Sequence, residues 1–445
     1  MTTLRVAVTG LKRAGKTVFL TALINHLLEG NEDSLAAFRD AAVTFSGRVL
    51  PQDEDRPVFP YHLYLDLLRQ NDPVWPERTA EMSQFRLAVD LRNLRTRKTR
   101  SVQIELVDYP GERLLDLPML SLSFEDWSDR VVRDAEVGQR RGLSAEWLEG
   151  CDRIEAGANG KSPAVAEAVD RYAAYVRACR EAGLTFLQPS AMLPNGAEPG
   201  APPCRLSPLP VTVRKKAPAL SQEFTRRYRV YVHDHVKPFV RAVGRCSRQI
   251  VLVDVMSVLR QGVHSYNDTR RCLRSVLDAY AYAEQRHRFS PLRLMDAVRP
   301  RIERVVFAAT KADQCTRATR GNLRYLLEEL VDQKRRQLIA TLPRCRPKIT
   351  FCAACRVTED ATKQYDGREL SCLRGVRADR EPDKEGPWFP GEVPMEWPED
   401  DWNPEEEQFV FPDFLPRRLV LRDGAIIPHA NLDKVFWHVI EDLVT

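Results

Sequence analysis

Residues 4–28 read LRVAVTGLKRAGKTVFLTALINHLL: an apolar run, a loop framed by two glycines, and a second apolar run. Leu4 to Thr9 predicts a buried strand, and the second run predicts a helix from about Thr17 to Leu28, stopped at Gly30-Asn31. Between them, Gly10-Leu11-Lys12-Arg13-Ala14-Gly15-Lys16-Thr17 matches G-x-x-x-x-G-K-[ST] in the strand–loop–helix setting that this motif requires. The chemistry it suits is phosphate capture. Glycine lets the backbone wrap an anion, so that N–H groups from Gly10 through Val18 can point inward. Lys16 is expected to reach the β/γ-phosphate oxygens, and the Thr17 hydroxyl to ligate Mg²⁺. On this reading the Lys16 ammonium serves the phosphates alone, and its removal should spare the fold. A plain strand–helix turn is the bland alternative, disfavoured because strand, loop and helix all agree with the motif.

A phosphate loop does not choose a base, and later segments bear on that choice. Asp108-Tyr109-Pro110-Gly111 follows the apolar stretch SVQIELV, giving D-x-x-G at a strand end. Asp108 is expected to hold Mg²⁺ through water, and the Gly111 N–H to meet a γ-phosphate. D-x-x-G is weak by itself; its place downstream of the phosphate loop raises it above a turn. Thr310-Lys311-Ala312-Asp313 follows RVVFAA and matches [NT]-K-x-D. Guanine offers N1–H and 2-amino donors, which the Asp313 carboxylate can accept together, whereas adenine presents an acceptor at N1. The aliphatic stem of Lys311 would cover the base plane. An Asp capping the next helix is the plain alternative. Cys352-Ala353-Ala354, at the end of the following strand, resembles a small-residue loop whose backbone N–H meets guanine O6. Cys352 and Cys355 form a C-x-x-C, but a zinc site needs four ligands and no partner pair of matching spacing is nearby.

The chain has 445 residues, which leaves room for two domains. A hydrophobic content of 43% with 29% charged residues points to a packed core rather than disorder. The formal charge of +5 is too small a surplus to imply nucleic acid, and none is expected as a partner. Arg92, Arg95, Arg97, Lys98 and Arg100 join strands expected at Gln84–Leu91 and Ser101–Val107; they read as a solvated hairpin end, or a contact for an acidic partner or anionic headgroups. Ten scattered cysteines, no N-terminal signal and no transmembrane run of ~20 apolar residues predict a cytoplasmic chain with reduced thiols.

From about Leu120 to Arg245 strand patterning gives way to helices and loops. A helix is expected from Ser162-Pro163 to Gly183, then a proline-rich loop over Pro189–Pro218 and a basic helix from Ser221. Strands resume at Ile250–Val255, Arg304–Ala309 and Lys348–Cys352, with helices near Asp268–Glu284 and Asn322–Ile339 and a final one at Leu432–Leu443. The expected fold class is α/β: a three-layer P-loop nucleotide-binding domain built from residues 1–119 and 245–445, with a mainly helical domain, 120–244, inserted. Insertions in the nucleotide domain are placed at about 31–75 and about 360–425.

The phosphate loop, D-x-x-G and [NT]-K-x-D, in this order, resemble the Ras-like GTPase superfamily. Together with GLKRAGKTVFLTALINHLL, the segments WPERT, DYPGERLLDLPML, FAATKAD and NLDKVFWHVI narrow the resemblance to the YcjX family of bacterial stress-response nucleotidases, over nearly the whole chain. That resemblance implies a Ras-like G-domain with an inserted helical domain, GTP/GDP and Mg²⁺ as ligands, and slow GTP hydrolysis as a switch. It also implies a role in envelope (phage-shock) stress, with a protein effector, a membrane-associated stress protein among the candidates, and a place in the cytoplasm or peripherally at the inner membrane. By the same resemblance Thr79 matches the switch threonine that closes over Mg²⁺ and the γ-phosphate, with Thr44 as the alternative. Glu112 stands where Ras-like enzymes carry a water-orienting glutamine. A carboxylate accepts from water but repels phosphates, so Glu112 is either a poor catalyst or a solvent-facing switch residue. Arg13 or Lys12 is placed to supply positive charge in cis, or else both face solvent. The rival classes are an ATPase or small-molecule kinase, which leaves Asp313 unexplained, and a nucleotide-binding scaffold with little turnover.

Overall fold

The computed structural model describes residues 2–10, 13–53, 56–76, 81–193, 196–197, 203–288, 302–341, 345–379, 387–398, 402, 409–417 and 426–444. The described residues fall into two compact units. The first lies within Met1–Tyr109, Arg245–Val263 and Leu294–Thr445, the second within Pro110–Gly244 and His264–Arg293.

The first unit begins with β1 (Thr2–Gly10), α1 (Lys16–Glu29), α2 (Ala36–Asp40), β2 (Val43–Val49), α3 (Tyr61–Arg69), β3 (Ser83–Asn93) and β4 (Thr99–Asp108). Its sheet runs β2-β3-β4-β1-β5-β6-β7, where β5 is Arg248–Val253, β6 Arg304–Ala309 and β7 Arg346–Phe351. β4, β1, β5, β6 and β7 are parallel, while β3 is antiparallel to both β4 and β2. Strands buried on both faces read as continuous apolar runs, and Val6, Ala7, Val8, Ile250, Leu252 and Val253 are all fully buried. Val306 and Ala308 share a core with Phe19, Leu23 and Leu27 of α1 and with Val435, Phe436 and Val439 of the C-terminal helix Leu432–Ile440. Val305 and Phe307 alternate with them and face the other side of the sheet, where the helix Asn322–Thr341 packs on β6 and β7.

Among its described residues the second unit contains helices and no strand. They are a 3₁₀ segment at Gly111–Leu120, then α4 (Phe124–Ala135), α5 (Arg140–Asp152), α6 (Pro163–Glu181), α7 (Val211–Lys216), α8 (Pro218–Tyr231) and α9 (Lys237–Val243). After β5 come α10 (Val255–Arg260) and α11 (Gly262–Arg288), and α11 belongs to this unit from His264 onward. Trp127, Trp147, Tyr172 and Phe224 are wholly buried within it. Ser123 caps α4 by accepting from the Asp126 N–H, and Pro163 opens α6 with its fixed φ. With α12 (Asn322–Thr341) and α13 (Leu432–Ile440) the described residues hold thirteen α-helices.

Several expected elements differ from the observed ones. The strand expected at Ile250–Val255 ends at Val253, because Asp254 turns out to be the N-cap of α10, its carboxylate accepting from the Ser257 N–H at 3.0 Å. The stretch 31–75 is not merely polar connection: it holds α2, α3 and the edge strand β2. The polar region after β7 carries a second sheet, β10-β9-β8, from β8 (Glu359–Tyr365), β9 (Arg368–Arg374) and β10 (Pro387–Trp388). The proline-rich loop contains α7. The last helix ends at Ile440 and closes with a 3₁₀ turn, Glu441–Leu443.

Candidate nucleotide-binding site

Because β4, β1, β5, β6 and β7 are parallel, Asp108, Gly10, Asp254, Thr310 and Cys352 all stand at or just past strand carboxyl ends on one edge of the sheet. Chain order reverses around β1, which has β4 on one side and β5 on the other. Open α/β sheets hold ligands in the crevice at such a switch point.

The loop leaving β1 is constrained at both glycines. Gly15 has φ 73°, the left-handed region that a side chain strains, and it is the N-cap of α1 without any side-chain cap bond. At Gly10 the limit is space: a Cβ would come within 3.0 Å of the Ala14 Cβ and 3.2 Å of the Leu252 Cβ. The first turn of α1 has no acidic residue, so nothing there offsets the positive helix end. Thr17 is buried in that turn, Ala14 is buried in the loop, and Arg13 is exposed with φ 62°. Leu11, Lys12 and Thr79 lie outside the described residues, and Val18 is the third residue of α1. Thr44, the alternative switch threonine, lies on β2 opposite Arg92.

Lys16 Nζ lies 3.0 Å from Asp108 Oδ1 and also donates to the Tyr109 carbonyl. The Asp108 side chain is 0% exposed and that of Lys16 is 13% exposed. The ammonium therefore neutralises a buried carboxylate at the end of the neighbouring strand, and the expectation that Lys16 serves phosphates alone needs correcting. Tyr109 is itself buried, and its hydroxyl donates to Gln249 Oε1 on β5 at 3.4 Å. Among the described residues no group of three or more His, Cys, Asp or Glu side chains is arranged to hold a metal ion. The oxygens at the loop are those of Thr17 and Asp108, a donor set that suits Mg²⁺, which takes one or two protein ligands and completes its shell with phosphate and water.

The second cluster joins β5, β6 and β7. Lys311, at φ 56°, places its Nζ 2.8 Å from Asp254 Oδ2 and 3.5 Å from Asp413 Oδ1. Burial works to lower the Lys311 pKa, but these carboxylates outweigh it and the net shift is upward. Asp313 is buried, and its Oδ2 accepts from the Val357 N–H at 2.8 Å. Burial raises its pKa against that bond. Part of its accepting capacity thus ties the loop after β7 in place. The Cys352 N–H donates to the Ala309 carbonyl and the Ala353 N–H to the Ala430 carbonyl. Of the three small residues expected to greet guanine O6, two have therefore committed their N–H groups within the protein, and Ala354 is the one that remains for that role. The Cys352 and Cys355 thiols are pushed up to about 12 by burial, which keeps them protonated.

The sequence profile of the YcjX-like family, DUF463, matches residues 4–444. The chain belongs to the YcjX-like family. It is 31% identical over 462 residues to the Ras-like GTPase YcjX of Escherichia coli (strain K12), covering 99% of this chain and 95% of that protein. It is 28% identical over 469 residues to the Ras-like GTPase YcjX of Shewanella oneidensis, covering 99% and 94%.

In this family member the residues from Pro110 onward belong to the second unit. Gly111 opens the 3₁₀ segment, and the Glu112 carboxylate lies 3.6 Å from the Arg180 guanidinium of α6. Glu112 is 17% exposed, so it is not the solvent-facing residue considered above. The segment is held at further points: Leu115 accepts from the Gln188 amide, Met119 from the Tyr228 hydroxyl, and Asp116 from the Ser190 N–H, the Ser190 hydroxyl and the Tyr231 hydroxyl. Sequence reasoning passed over Asp254, Val357 and Arg180. An Asp at the end of an apolar strand with Ser three residues on was a visible cap signal for Asp254, but nothing local marks Val357 or Arg180.

Proposed function

We propose that this chain is a Ras-like switch that binds GTP and GDP with Mg²⁺ and hydrolyses GTP slowly. The observation that carries the proposal is the Lys16–Asp108 pair, which joins the phosphate loop to D-x-x-G across adjacent parallel strands at the switch point. The names of the two relatives, both Ras-like GTPases, support the base.

The loop from Gly10 to Val18 would cradle phosphates with its N–H groups, and Lys16 would bind their β/γ oxygens. Thr17, Asp108 and Thr79 would hold Mg²⁺, which when bound neutralises charge on the phosphates. In the nucleotide-bound protein Lys16 and Asp108 exchange each other for phosphate and cation, so neither buried charge is left uncompensated. Asp313 reads the guanine edge while Lys311, tethered by Asp254, lies along the base. Thr310 begins this loop and Ala354 supplies the N–H for O6. Gly111 meets the γ-phosphate, and Arg13 offers a positive charge in cis. The unit of Met1–Tyr109, Arg245–Val263 and Leu294–Thr445 would serve as the G-domain, and that of Pro110–Gly244 and His264–Arg293 as the helical insertion.

Glu112, engaged by Arg180, is a poor orienter of water, which favours slow turnover and gives a scaffold with little turnover as the second reading. The envelope-stress role, a protein effector and a cytoplasmic or inner-membrane-peripheral location rest on family likeness. No helix among the described residues is long and apolar enough to cross a membrane. The test is the set of affinities for GTP, GDP, ATP and ADP with Mg²⁺, together with phosphate release. GTP and GDP are expected to bind at least about tenfold tighter than the adenine nucleotides. Preference for ATP overturns the guanine assignment.

A further inference from the structure

We propose that the end of the β3–β4 hairpin is a docking surface for lipid bearing anionic headgroups. From Arg92 to Arg100 the chain holds five basic side chains, Arg92, Arg95, Arg97, Lys98 and Arg100, and no carboxylate. All five are exposed. The hairpin end lies at the sheet edge opposite the phosphate loop. Arg92 pairs with Thr99 at the start of β4, whereas Asp108 closes that strand, roughly 30 Å away at ~3.4 Å per residue. That is several Debye lengths at physiological salt, so the Lys16–Asp108 pair is screened from these charges.

Carboxylates on the segments that touch the hairpin do not offset its charge. The Leu94 N–H donates to the Ala42 carbonyl, and Asp40, just before it, has Arg39 at 3.6 Å. Asp90, on β3, pairs with Arg48 at 2.9 Å. Asn93 donates to the Val444 carbonyl, and the nearby Glu441 and Asp442 pair with Arg304 and Arg248 at 2.5 and 2.7 Å. Each of these acids has an arginine of its own, and among the described residues none of the five hairpin cations is in an ion pair. Arg100 donates to the Leu443 carbonyl at 3.3 Å, a neutral partner that leaves its charge uncancelled.

The loop is preformed. Asn93 Oδ1 accepts from the N–H groups of Arg95 and Thr96, both at 3.0 Å, so docking costs little backbone ordering. Leu94, 52% exposed, stands between Arg92 and Arg95. Guanidinium forks suit headgroup phosphates, and an apolar side chain among them suits the acyl boundary. Nucleic acid fits less well, because these nine residues hold no aromatic ring on which a base could stack. The patch would make a peripheral location specific to one face of the first unit, whatever nucleotide that unit binds.

The full chain is co-sedimented with mixed phosphatidylglycerol–phosphatidylcholine vesicles and with vesicles of phosphatidylcholine alone. Wild type is expected to bind only the anionic vesicles, and to leave them at about 1 M salt. Each basic residue near such a surface strengthens partitioning about fivefold, so Arg95→Ala/Arg97→Ala/Lys98→Ala should weaken it about a hundredfold. Arg95→Gln/Arg97→Gln/Lys98→Gln should show the same loss, which guards against a distorted loop in the alanine variant. GDP affinity should be unchanged in both. A chain that binds the vesicles but not GDP keeps the patch and loses the nucleotide assignment. Wild type that ignores anionic vesicles, or variants that partition as wild type does, overturn the proposal. So does single-stranded oligothymidylate binding that the same variants lose while wild type ignores vesicles, which would assign the patch to nucleic acid.

Discussion

Replacing Lys16 by Ala strips the ammonium from a carboxylate that is fully buried. At 3.0 Å the gross attraction is ~5 kcal/mol at an effective dielectric near 20. Removing one partner of a buried pair typically costs about 3–5 kcal/mol, because the other charge stays behind. Solvent screening discounts this little, since Lys16 is only 13% exposed. The nucleotide-free Lys16→Ala protein is therefore expected to lose ~3–5 kcal/mol, a large share of the 5–15 kcal/mol typical of a folded domain. Adding Asp108→Asn removes the stranded charge and should recover about 2 kcal/mol or more. Guanidinium denaturation gives the magnitudes, and hydrogen exchange of β1 and β4 peptides localises them, because two units need not unfold together. Both variants should fail to bind triphosphate. A lysine variant within ~0.5 kcal/mol of wild type, or a double variant no steadier than the single, refutes the reasoning.

Asp313→Asn keeps an amide oxygen for the Val357 N–H and turns an NH₂ outward, a donor that suits the 2-oxo group of xanthine. GTP should weaken and XTP gain by ~10² or more in competition assays; an unchanged preference reduces Asp313 to a tie for the loop after β7. Burial, helped by His429, lowers the pKa of His26 to about 4 although its bond to the Ile427 carbonyl opposes this. The folded state thus releases a proton that the unfolded chain holds below its ordinary 6.5. The resulting stability is full above pH 6.5 and is lost as pH falls through about 4, ~3 kcal/mol in all. Denaturation midpoints of wild type and His26→Gln across that range check it: a wild-type profile as flat as the variant's contradicts the assignment.

The nucleotide unit was legible where side-chain pattern and motif coincide. β1 with α1 and the β3–β4 hairpin carry long apolar runs, and RVVFAA matches β6 residue for residue. β2 was hidden because only Val43 and Phe45 face the core, while Ser46 and Arg48 are exposed and Gly47 interrupts it, the habit of an edge strand. β8 is almost entirely exposed, so no alternation marks it. The available signal was the turn Asp366-Gly367, both at positive φ, a common two-residue hairpin. At the site, Gly10, Lys16, Asp108 and Asp313 could be named because motif spacing is local. Their partners could not. Asp108 to Lys16 and Asp313 to Val357 are contacts over long separations, which only the sheet order brings about.

That same order has a consequence for how the chain is made. β1 lies in the middle of the sheet, yet one of its neighbours, β4, is synthesised about a hundred residues later and the other, β5, only after the whole stretch from Pro110 to Gly244. At ~5–20 residues per second, Gly10 waits roughly tens of seconds for Leu252, the residue it pairs with. Throughout that interval one flank of β1 offers an open ladder of backbone groups. A nascent chain in this state is a ready client for trigger-type holding chaperones, and fragments ending before β5 should aggregate rather than fold.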